Sequence, residues 1–400
     1  MLHKPLVRLI VQGKTSNYLY YPKVLQADVT YAYPLTVPTA NIDIITNMSP
    51  ETSGYISPIS IDDIVRLQVS ITFSRTETVV WTDIFEGRVR NIQSPYGTKN
   101  TTTLDCAGHI YETTYSLITN DYNWGGTFDA VDMLGILVNN EHFLSRLSFG
   151  GYAAYVTTGV SLETFSIKKD QKYMHDILMD LEKISQHTFQ AYTESVYDNF
   201  GKLTATYLCW KPFSDNVNTG YKIIEGTHRL LDAEFNSSSE EMYNSVRIYG
   251  DTYTTQDNST PPVVTNHQYT AIAGFSDKIT EYGKRSIVET VTGIKSNSQC
   301  SQLAVGFATV AKDPFISGRV SIFGTPHAKV GDLVYVKIPS LEINGASIQG
   351  NYRVVKVNHS ISQNKFVTNI DFGKLKSGVE DYIVKIKRKT RINNCNHIRY

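Results

Sequence analysis

Hydrophobic and polar residues alternate through the first 118 positions of the chain. Each alternating stretch places its apolar side chains on one face, as expected for a β-strand. Six such stretches occur, at residues 6–11, 24–31, 40–45, 64–73, 82–92 and 101–106. Six strands at this spacing predict a β barrel or a β sandwich.

A helical period replaces the alternation after residue 118. Thr127 is the predicted N-cap of a helix in which Val131, Leu134 and Val138 recur at three- and four-residue intervals. A wider apolar stripe predicts a second helix at 170–187. Both helices present one apolar face, so each needs a surface to pack against.

A predicted hairpin supplies that surface. Residues 188–192 and 203–210 have strand composition and flank the polar turn 198–202. Together with the two helices they indicate a small α+β domain over residues 119–222.

Strand patterning resumes at 230–250. The Thr-rich stretch 251–266 is predicted to be a loop with little local structure. A third helix is predicted to begin at Asn297 or Ser298 and to end before Pro314, because proline cannot continue a helix.

Four more alternating stretches close the patterned part of the chain, at 319–323, 333–338, 350–361 and 366–372. The connection 324–332 contains Gly324, Pro326 and Gly331. We expect the first two of these strands to pair antiparallel and all four to form a meander, which would make up most of a small barrel.

The residues of this last segment carry a resemblance to a known family. Their order resembles the C-terminal tube domain of baseplate hub proteins from contractile-tailed phages and related injection machines, a family that includes the phage late-control proteins. The resemblance rests on Gly324, Pro326, Gly331, Asp332, Val334, Val336, Gly350, Tyr352, Val354, Val357, His359, Ile361, Thr368, Ile370 and Phe372. A second set of residues is similar to the first tube domain of the same family: Phe85, Gly87, Val89, Ile92, Leu104, Cys106 and Gly108.

The resemblance implies a mainly β fold with α+β insertions, in which two small tube-type β barrels are each accompanied by a small mixed domain. It gives the family-motif residues a structural role. The predicted organisation is a first barrel at 1–118, an inserted α+β domain at 119–222, a second barrel at 223–258 and 319–376, a small α+β insertion at 259–318 and a basic C-terminal tail at 377–400.

The resemblance also implies a function. Hub proteins of this kind are structural; they adapt the hexameric tail tube to a trimeric central spike and line the channel for genome delivery. A homotrimer would present six barrels in a ring. The implied partners are the tail tube protein, the central spike, the tape-measure protein and the baseplate wedge proteins, and DNA would pass through the lumen without specific binding. The implied location is the virion tail baseplate, assembled in the host cytoplasm.

Composition and charge agree with such a role. Lys and Arg total 38, as do Asp and Glu, so the formal charge is zero, whereas a protein that coats nucleic acid normally carries a basic excess. Tyrosine is abundant, at 26 residues, and suits strand surfaces and subunit contacts. The four cysteines have no Cys-x-x-Cys spacing, which favours reduced, mostly buried thiols over a zinc site. We expect no membrane span and no signal peptide.

Basic residues accumulate in the tail without acidic ones after Asp381. Two interpretations stay open for this segment: a solvated, partly disordered tail, or a segment that docks on a neighbouring subunit. The candidate docking residues are Lys385, Lys387, Arg388, Lys389 and Arg391.

No pattern in the chain predicts an enzyme, a cofactor or a metal centre. Phosphate-cradle, dinucleotide, zinc-protease and serine-hydrolase motifs are missing from the sequence. His175 and His187 lie twelve residues apart, about 18 Å along a helix, which is too far to share one ion, so both are expected to be exposed. The adjacent pair Asp62 and Asp63 would point to opposite faces on a strand or be solvated on a loop, and it supports no acid/base chemistry. His359 is expected to bond a neighbouring loop.

Two rival functions remain at this stage. A carbohydrate- or receptor-binding β protein would stack Tyr and Trp side chains, such as Trp124, on sugars around an exposed pocket. An enzyme would need a cleft with a tight cluster of titratable groups.

Overall fold

The computed structural model describes residues 5–14, 19–45, 59–71, 79–93, 101–141, 147–149, 161–184, 189–213, 221–226, 230–240, 242–257, 259, 262–290, 296–343, 346–362 and 365–373. Two compact units divide them. The first holds the described residues of Met1–Glu234 and Gly318–Leu375, and the second holds those of Phe235–Ser317.

Strands dominate the N-terminal part, in agreement with the alternation. They are β1 (Leu6–Gln12), β2 (Leu19–Tyr20), β3 (Lys23–Ala32), β4 (Thr39–Ile45), β5 (Ile64–Ser70), β6 (Thr82–Gln93) and β7 (Thr101–Gly108), followed by a 3₁₀ helix at His109–Thr114. All six predicted strands of this part are confirmed.

The mixed segment follows the predicted order of helices and hairpin. Its elements are β8 (Tyr122–Asp129), α1 (Ala130–Asn140), β9 (Ser148–Phe149), β10 (Ser161–Ile167), α2 (Met174–Ile184), β11 (Phe189–Tyr197) and β12 (Leu203–Pro212). The apolar sides of both helices share one core with the β11–β12 hairpin, and this core includes Leu134, Leu178 and Trp210.

Two details of this segment differ from the predictions. Thr127 lies in β8, and the N-cap of α1 is Asp129, whose carboxylate accepts the backbone N–H of Val131 at 2.8 Å. His175 is half-buried because it packs toward Thr113, whose Oγ1 lies 3.4 Å from its Nδ1. His187 lies outside the described residues.

The remaining elements are divided between the two compact units. They are β13 (Ile223–Ile224), β14 (Leu230–Ser238), β15 (Ser245–Gln256), β16 (Val264–Gly274), α3 (Ser276–Tyr282), β17 (Ser286–Thr290), α4 (Asn297–Ala311), β18 (Phe315–Phe323), β19 (Leu333–Ile343), β20 (Ala346–Ser362) and β21 (Lys365–Gly373).

The second compact unit is a three-stranded sheet in the order β16-β15-β17, with α4 packed on Val246 and Ile248. This corrects two expectations. β15 pairs with β16 and β17 and not with the strands of the second predicted barrel. The Thr-rich stretch 251–266 is largely strand, because β-branched threonines suit a two-stranded ribbon.

One thirteen-stranded sheet organises the first unit, in the order β14-β18-β21-β20-β3-β4-β7-β6-β5-β1-β2, with β19 paired to β20 and β13 to β19. The predicted mainly β fold class with α+β insertions is confirmed. Strands of both predicted barrels share this sheet, and the ladders between its described residues do not close into a ring.

The last four strands are connected differently from the predicted meander. β18 pairs with β21, and β19 pairs with β20, so the spatial order is β18-β21-β20-β19, a Greek key. The physical reason is the connection after β18. Gly331 donates its N–H to the carbonyl of Val354 at 2.8 Å, so the chain reaches β20 before β19 begins.

The sheet repeats one five-strand pattern. The first half is β3-β4-β7-β6-β5, and the second half is β14-β18-β21-β20-β19. In both halves the strands lie side by side in the same order: the first, second, fifth, fourth and third of that half along the chain. The register shift between Val89 and Asn91 in β6 has a counterpart between Val354 and Lys356 in β20. Beyond its bulge, β20 leaves β19 and pairs with β3, which joins the two halves.

Candidate functional site

The face of the large sheet opposite its core is polar across seven strands. Period-2 alternation places Ile42 and Leu104 in the core while the neighbouring side chains point away. We call these side chains the polar face, and all of them are exposed or half-buried: Gln26, Asp28, Thr30, Asn41, Asp43, Asn91, Gln93, Thr103, Asp105, Arg319, Ser321, Lys356, Asn358, Ser360, Asn369 and Asp371.

Cross-strand hydrogen bonds hold the first half of the polar face. The Asp105 carboxylate accepts from the Asn41 amide at 2.7 Å and from the Asn91 amide at 2.9 Å. The Thr103 hydroxyl donates to Asp43 at 2.6 Å. These side chains lie directly opposite one another in the ladders, so each bond joins two neighbouring strands.

The second half repeats these contacts with other residues. The Arg319 guanidinium bonds Asp371 at 2.7 Å, and the Ser321 hydroxyl donates to Asn369 at 2.7 Å. The bond to Asp371 raises the pKa of the Arg319 guanidinium.

Across the junction, the Asn358 amide donates to the Thr30 hydroxyl at 2.9 Å, so the polar face continues from β20 to β3. It carries four carboxylates and two basic groups, of which Arg319 is paired. A surface with more carboxylates than basic groups binds phosphates weakly, because phosphate neutralisation requires an excess of Lys and Arg.

The core side of β20 contains His359, the histidine of the family motif. His359 is 2 % exposed, and its Nδ1 lies 3.0 Å from the Thr368 hydroxyl of β21. Burial lowers the pKa of its imidazole to about 4. The side chain therefore bonds a neighbouring strand and not the predicted loop, and it is neutral at physiological pH.

Three glycines of the family motif lie where a side chain would collide with neighbouring atoms or meet a strained backbone. Gly87 and Gly108 face each other between β6 and β7, and a Cβ on Gly87 would lie 2.1 Å from the carbonyl oxygen of Ala107. Gly324 has φ +35°, and a Cβ there would lie 3.0 Å from ring atoms of Phe366. These positions require glycine for close packing.

The other motif residues are framework positions as well. Phe85 and Val89 are buried in the core. Tyr352 packs on Phe372 with ring centroids 6.1 Å apart, and Pro326 is half-buried in the connection between β18 and β19.

Gly331 and Asp332 form a corner that the first half repeats with Asp62 and Asp63. Gly331 has φ +89° and Asp62 has φ +78°. Their N–H groups donate to the carbonyls of Val354 and Val89, each at 2.8 Å. Sequence reasoning missed this corner and treated the two aspartates as an ordinary pair on a strand or a solvated loop.

The side-chain bonds of the corner are repeated too. The Asp63 carboxylate accepts the Ser60 N–H at 2.8 Å, and the Asp332 carboxylate accepts the Lys329 N–H at 3.2 Å. Asp63 is consequently buried, at 5 % exposure. Comparing residues 62–69 with 331–338 position by position would have revealed it, because Asp-Asp-Ile-Val-x-Leu-x-Val matches Gly-Asp-Leu-Val-x-Val-x-Ile.

An arginine completes both corners. Arg88 donates to the carbonyl of Asp62 at 3.0 Å, and Arg353 donates to the carbonyl of Gly331 at 2.9 Å. The two halves therefore share one backbone corner, held by the same hydrogen bonds. It lies where β5 meets β6 in the first half and where β19 meets β20 in the second.

Comparison with known proteins identifies the family. Residues 156–373 match the family described as YQBQ-like, which is more than half of the 400-residue chain. The chain belongs to the YQBQ-like family. No curated protein matches its sequence.

Solved structures similar to this YQBQ-like protein include tail proteins. The 43 kDa tail protein of prophage MuSo2 from Shewanella oneidensis is 13 % identical, with 92 % of this chain and 98 % of that chain covered and a TM-score of 0.59. Prophage tail protein gp18 from Listeria monocytogenes EGD-e is 11 % identical, with coverages of 95 % and 98 % and a TM-score of 0.54.

A VgrG complex has the same fold. The half-lidded Francisella PdpA-VgrG complex is 8 % identical, with 93 % of this chain and 58 % of that chain covered and a TM-score of 0.51. The predicted resemblance to tail hub proteins is thus confirmed at the level of fold.

The remaining candidate features of this YQBQ-like protein are metal ligands, membrane helices, cysteines and the basic tail. No three or more His, Cys, Asp or Glu side chains there are grouped to hold a metal ion. No helix among the described residues is long and apolar enough to cross a membrane. Cys106, Cys209 and Cys300 are free and buried. The candidate docking residues Lys385, Lys387, Arg388, Lys389 and Arg391 lie outside the described residues, so tail docking stays a prediction.

Proposed function

We propose that this YQBQ-like protein is a non-enzymatic structural hub of a phage tail baseplate, which adapts a hexameric tail tube to a trimeric central spike. The observation that carries the proposal is the repeated five-strand half. Two equivalent halves per chain give six equivalent units in a homotrimer, which matches sixfold symmetry on one side and threefold symmetry on the other. The tail-protein fold supports the same role.

The polar face suits the lining of the channel for genome delivery. Its four carboxylates repel phosphate groups, and its Asn, Ser and Thr side chains are already hydrogen-bonded to one another. A passing DNA chain would therefore meet a surface that does not retain it. The tape-measure protein would occupy the same lumen before ejection.

The remaining partners follow from this position. We place the protein in the virion tail baseplate, with the tail tube protein on one side, the central spike on the other and baseplate wedge proteins around it. Assembly would take place in the host cytoplasm. The basic tail at 377–400 is proposed to contact an acidic partner surface through its clustered charge.

The carbohydrate-binding alternative is supported less well. Each of the three tryptophans has an aromatic or cationic side chain of the same protein near its ring. Trp124 stacks on Tyr122 at 5.3 Å, Trp210 stacks on Phe189 at 5.8 Å, and the Arg8 guanidinium lies 4.3 Å from the Trp81 ring centroid. A lectin would keep such rings open around a pocket.

Copy number tests the proposal directly. We expect native mass spectrometry of the purified protein to give a trimer and a density map of the virion to place three copies between tube and spike. One or six copies at that position would contradict the hub assignment.

The channel role has a separate test. Replacing Asp28 and Asp105 with lysine reverses two charges on the polar face, so phosphate retention should slow genome ejection from reconstituted virions, and more strongly at low salt. The matched control is Asp28→Asn with Asp105→Asn, which removes charge without adding a cation. Equal ejection rates for the lysine variant and the wild type would contradict a channel-facing position.

A further inference from the structure

β3 and β14 are equivalent strands in the two halves. Residues 24–30 read Val-Leu-Gln-Ala-Asp-Val-Thr, and residues 230–236 read Leu-Leu-Asp-Ala-Glu-Phe-Asn, which align without a gap. Asp28 lies opposite Asn41 of β4, and Glu234 acts electrostatically on Arg319 of β18, the strand equivalent to β4. Each strand therefore places an acidic side chain near the equivalent residue of its neighbour.

The two strands differ in what covers them. β3 has β4 on one edge and β20 on the other, whereas β14 is an end strand of the described sheet and pairs only with β18 there. Ala27 and Val29 are fully buried, while their counterparts Ala233 and Phe235 are half-buried. Leu231 is 44 % exposed. Ala233 and Phe235 of β14 are thus more exposed than Ala27 and Val29 of β3, the strand that pairs with β20.

β6 is the equivalent of β20, and one edge of its last residues has no paired strand among the described residues. In β20 the residues after the bulge pair with β21 on one edge and with β3 on the other. In β6 the residues after the bulge, Asn91–Gln93, pair with β7, but the described pairing with β5 ends at Arg88. In the part of the chain that the structure describes, each side of the internal junction thus has one equivalent strand edge without a partner.

We propose that β14 of one copy pairs antiparallel with the end of β6 in a second copy and repeats the junction between β3 and β20. The inference rests on the proposed trimeric hub and names its subunit contact. The internal pairs Lys356 with Ala32, Val357 with Tyr31 and Asn358 with Thr30 set the register. The intermolecular pairs are then Asn91 with Ser238, Ile92 with Ser237 and Gln93 with Asn236.

This contact uses the chemistry of the internal junction. Backbone N–H and C=O groups on two open strand edges satisfy each other, as in any β-augmentation. The Gln93 amide faces the Asn236 side chain of the neighbour, as the Asn358 amide faces Thr30 within one chain. Because the two edges are different surfaces, the contact is heterologous, and in the proposed trimer it closes into a ring of three copies.

Disulfide trapping tests the register. In a Cys395→Ser background, Gln93→Cys with Asn236→Cys places two thiols opposite each other on neighbouring strands, within reach of a disulfide. The three described native cysteines are buried and should not compete. We expect oxidation to yield covalent trimers on a denaturing gel. The matched control, Gln93→Cys with Asp232→Cys, moves one thiol four residues, about 13 Å, and should yield none.

A second in-register pair, Asn91→Cys with Ser238→Cys, covers the case in which the first variant does not fold. A trimer by native mass spectrometry that links at neither in-register pair, or that links only at the shifted pair, would overturn this interface and leave the hub assignment standing. A monomer at all concentrations would overturn both.

Discussion

The two corners of the large sheet use the same backbone but different residues at their strained position. Asp62 adopts φ +78°, a conformation that the short polar side chain of Asp tolerates better than most, and its carboxylate binds Arg90 at 3.0 Å. Gly331 has no such freedom, because a Cβ there would lie 2.4 Å from the buried Phe213 ring. The hydrogen-bond pattern is therefore common to both halves, whereas the residue that adopts it depends on what packs against it.

The largest expected effect comes from breaking the second corner. Gly331→Ala adds a Cβ at positive φ and against Phe213, and both terms destabilise, by about 2–5 kcal/mol together. Urea unfolding followed by circular dichroism would measure the loss. The control is Asp62→Gly at the equivalent corner, which relieves the φ penalty but loses an ion pair and should stay within about 1 kcal/mol of the wild type. Equal losses of stability in Gly331→Ala and Asp62→Gly would refute the distinction between the two corners.

The halves also differ in their buried titratable groups, and His359 in the second half gives the next effect. Its pKa is about 4 in the folded protein and 6.5 otherwise, so the unfolded state takes up a proton first as pH falls. The free energy of unfolding should therefore drop between pH 6.5 and 4, by about 3 kcal/mol. Denaturant titrations at several pH values would show it. In His359→Gln this part of the pH dependence should vanish. An unchanged slope of the unfolding free energy against pH would contradict its assignment to His359.

Glu182 acts in the opposite direction near the first half. Its carboxylate on α2 accepts the N–H of Leu35 at 3.1 Å and that of Ala191 at 3.0 Å, and burial raises its pKa to about 7. The folded state then holds a proton that the unfolded state releases, so the free energy of unfolding should fall as pH rises from about 4.5 to 7.

Glu182→Gln separates this titration from packing. The amide can accept only one of the two N–H groups, which should cost about 1–3 kcal/mol at pH 5. The same series of titrations should show that the loss shrinks toward pH 8. A pH-independent loss would mean that Glu182 does not titrate in this range.

The smallest effect distinguishes the equivalent pairs on the polar face. Arg319 with Asp371 is an exposed ion pair, and Asn41 with Asp105 is an amide–carboxylate bond. Arg319→Ala and Asn41→Ala should each cost less than about 1 kcal/mol. Thermal melts at low salt and at about 1 M salt should show that only the Arg319 contribution is screened. Equal salt sensitivity would mean that the two pairs are energetically alike.

Local patterns predicted most elements correctly. Alternation located the first six strands, and Leu134 and Val138 located the buried side of α1, because these signals depend on neighbours in the chain. Boundaries that depend on a single hydrogen bond were missed. The choice of Asp129 over Thr127 as the N-cap follows from where β8 ends, which periodicity does not encode.

The sequence patterns did not predict which strands pair with one another. The partner of β18 is β21, 42 residues further on, and the choice is made by the corner at Gly331 and Asp332 and not by the residues of β18. The placement of β15 in a separate sheet is likewise decided by packing on α4, more than 40 residues away in the chain.

The sequence by itself determined the β character, the mixed segment and the resemblance to tail hub proteins, because periodicity and motif order are written along the chain. The tertiary structure alone decided that the two halves share one sheet, that Asp62 and Asp63 form the counterpart of the family-motif corner, and that β14 and the end of β6 each have an edge without a paired strand among the described residues. These features depend on which backbone groups meet across the fold, and hydrogen bonds between distant strands leave no local pattern.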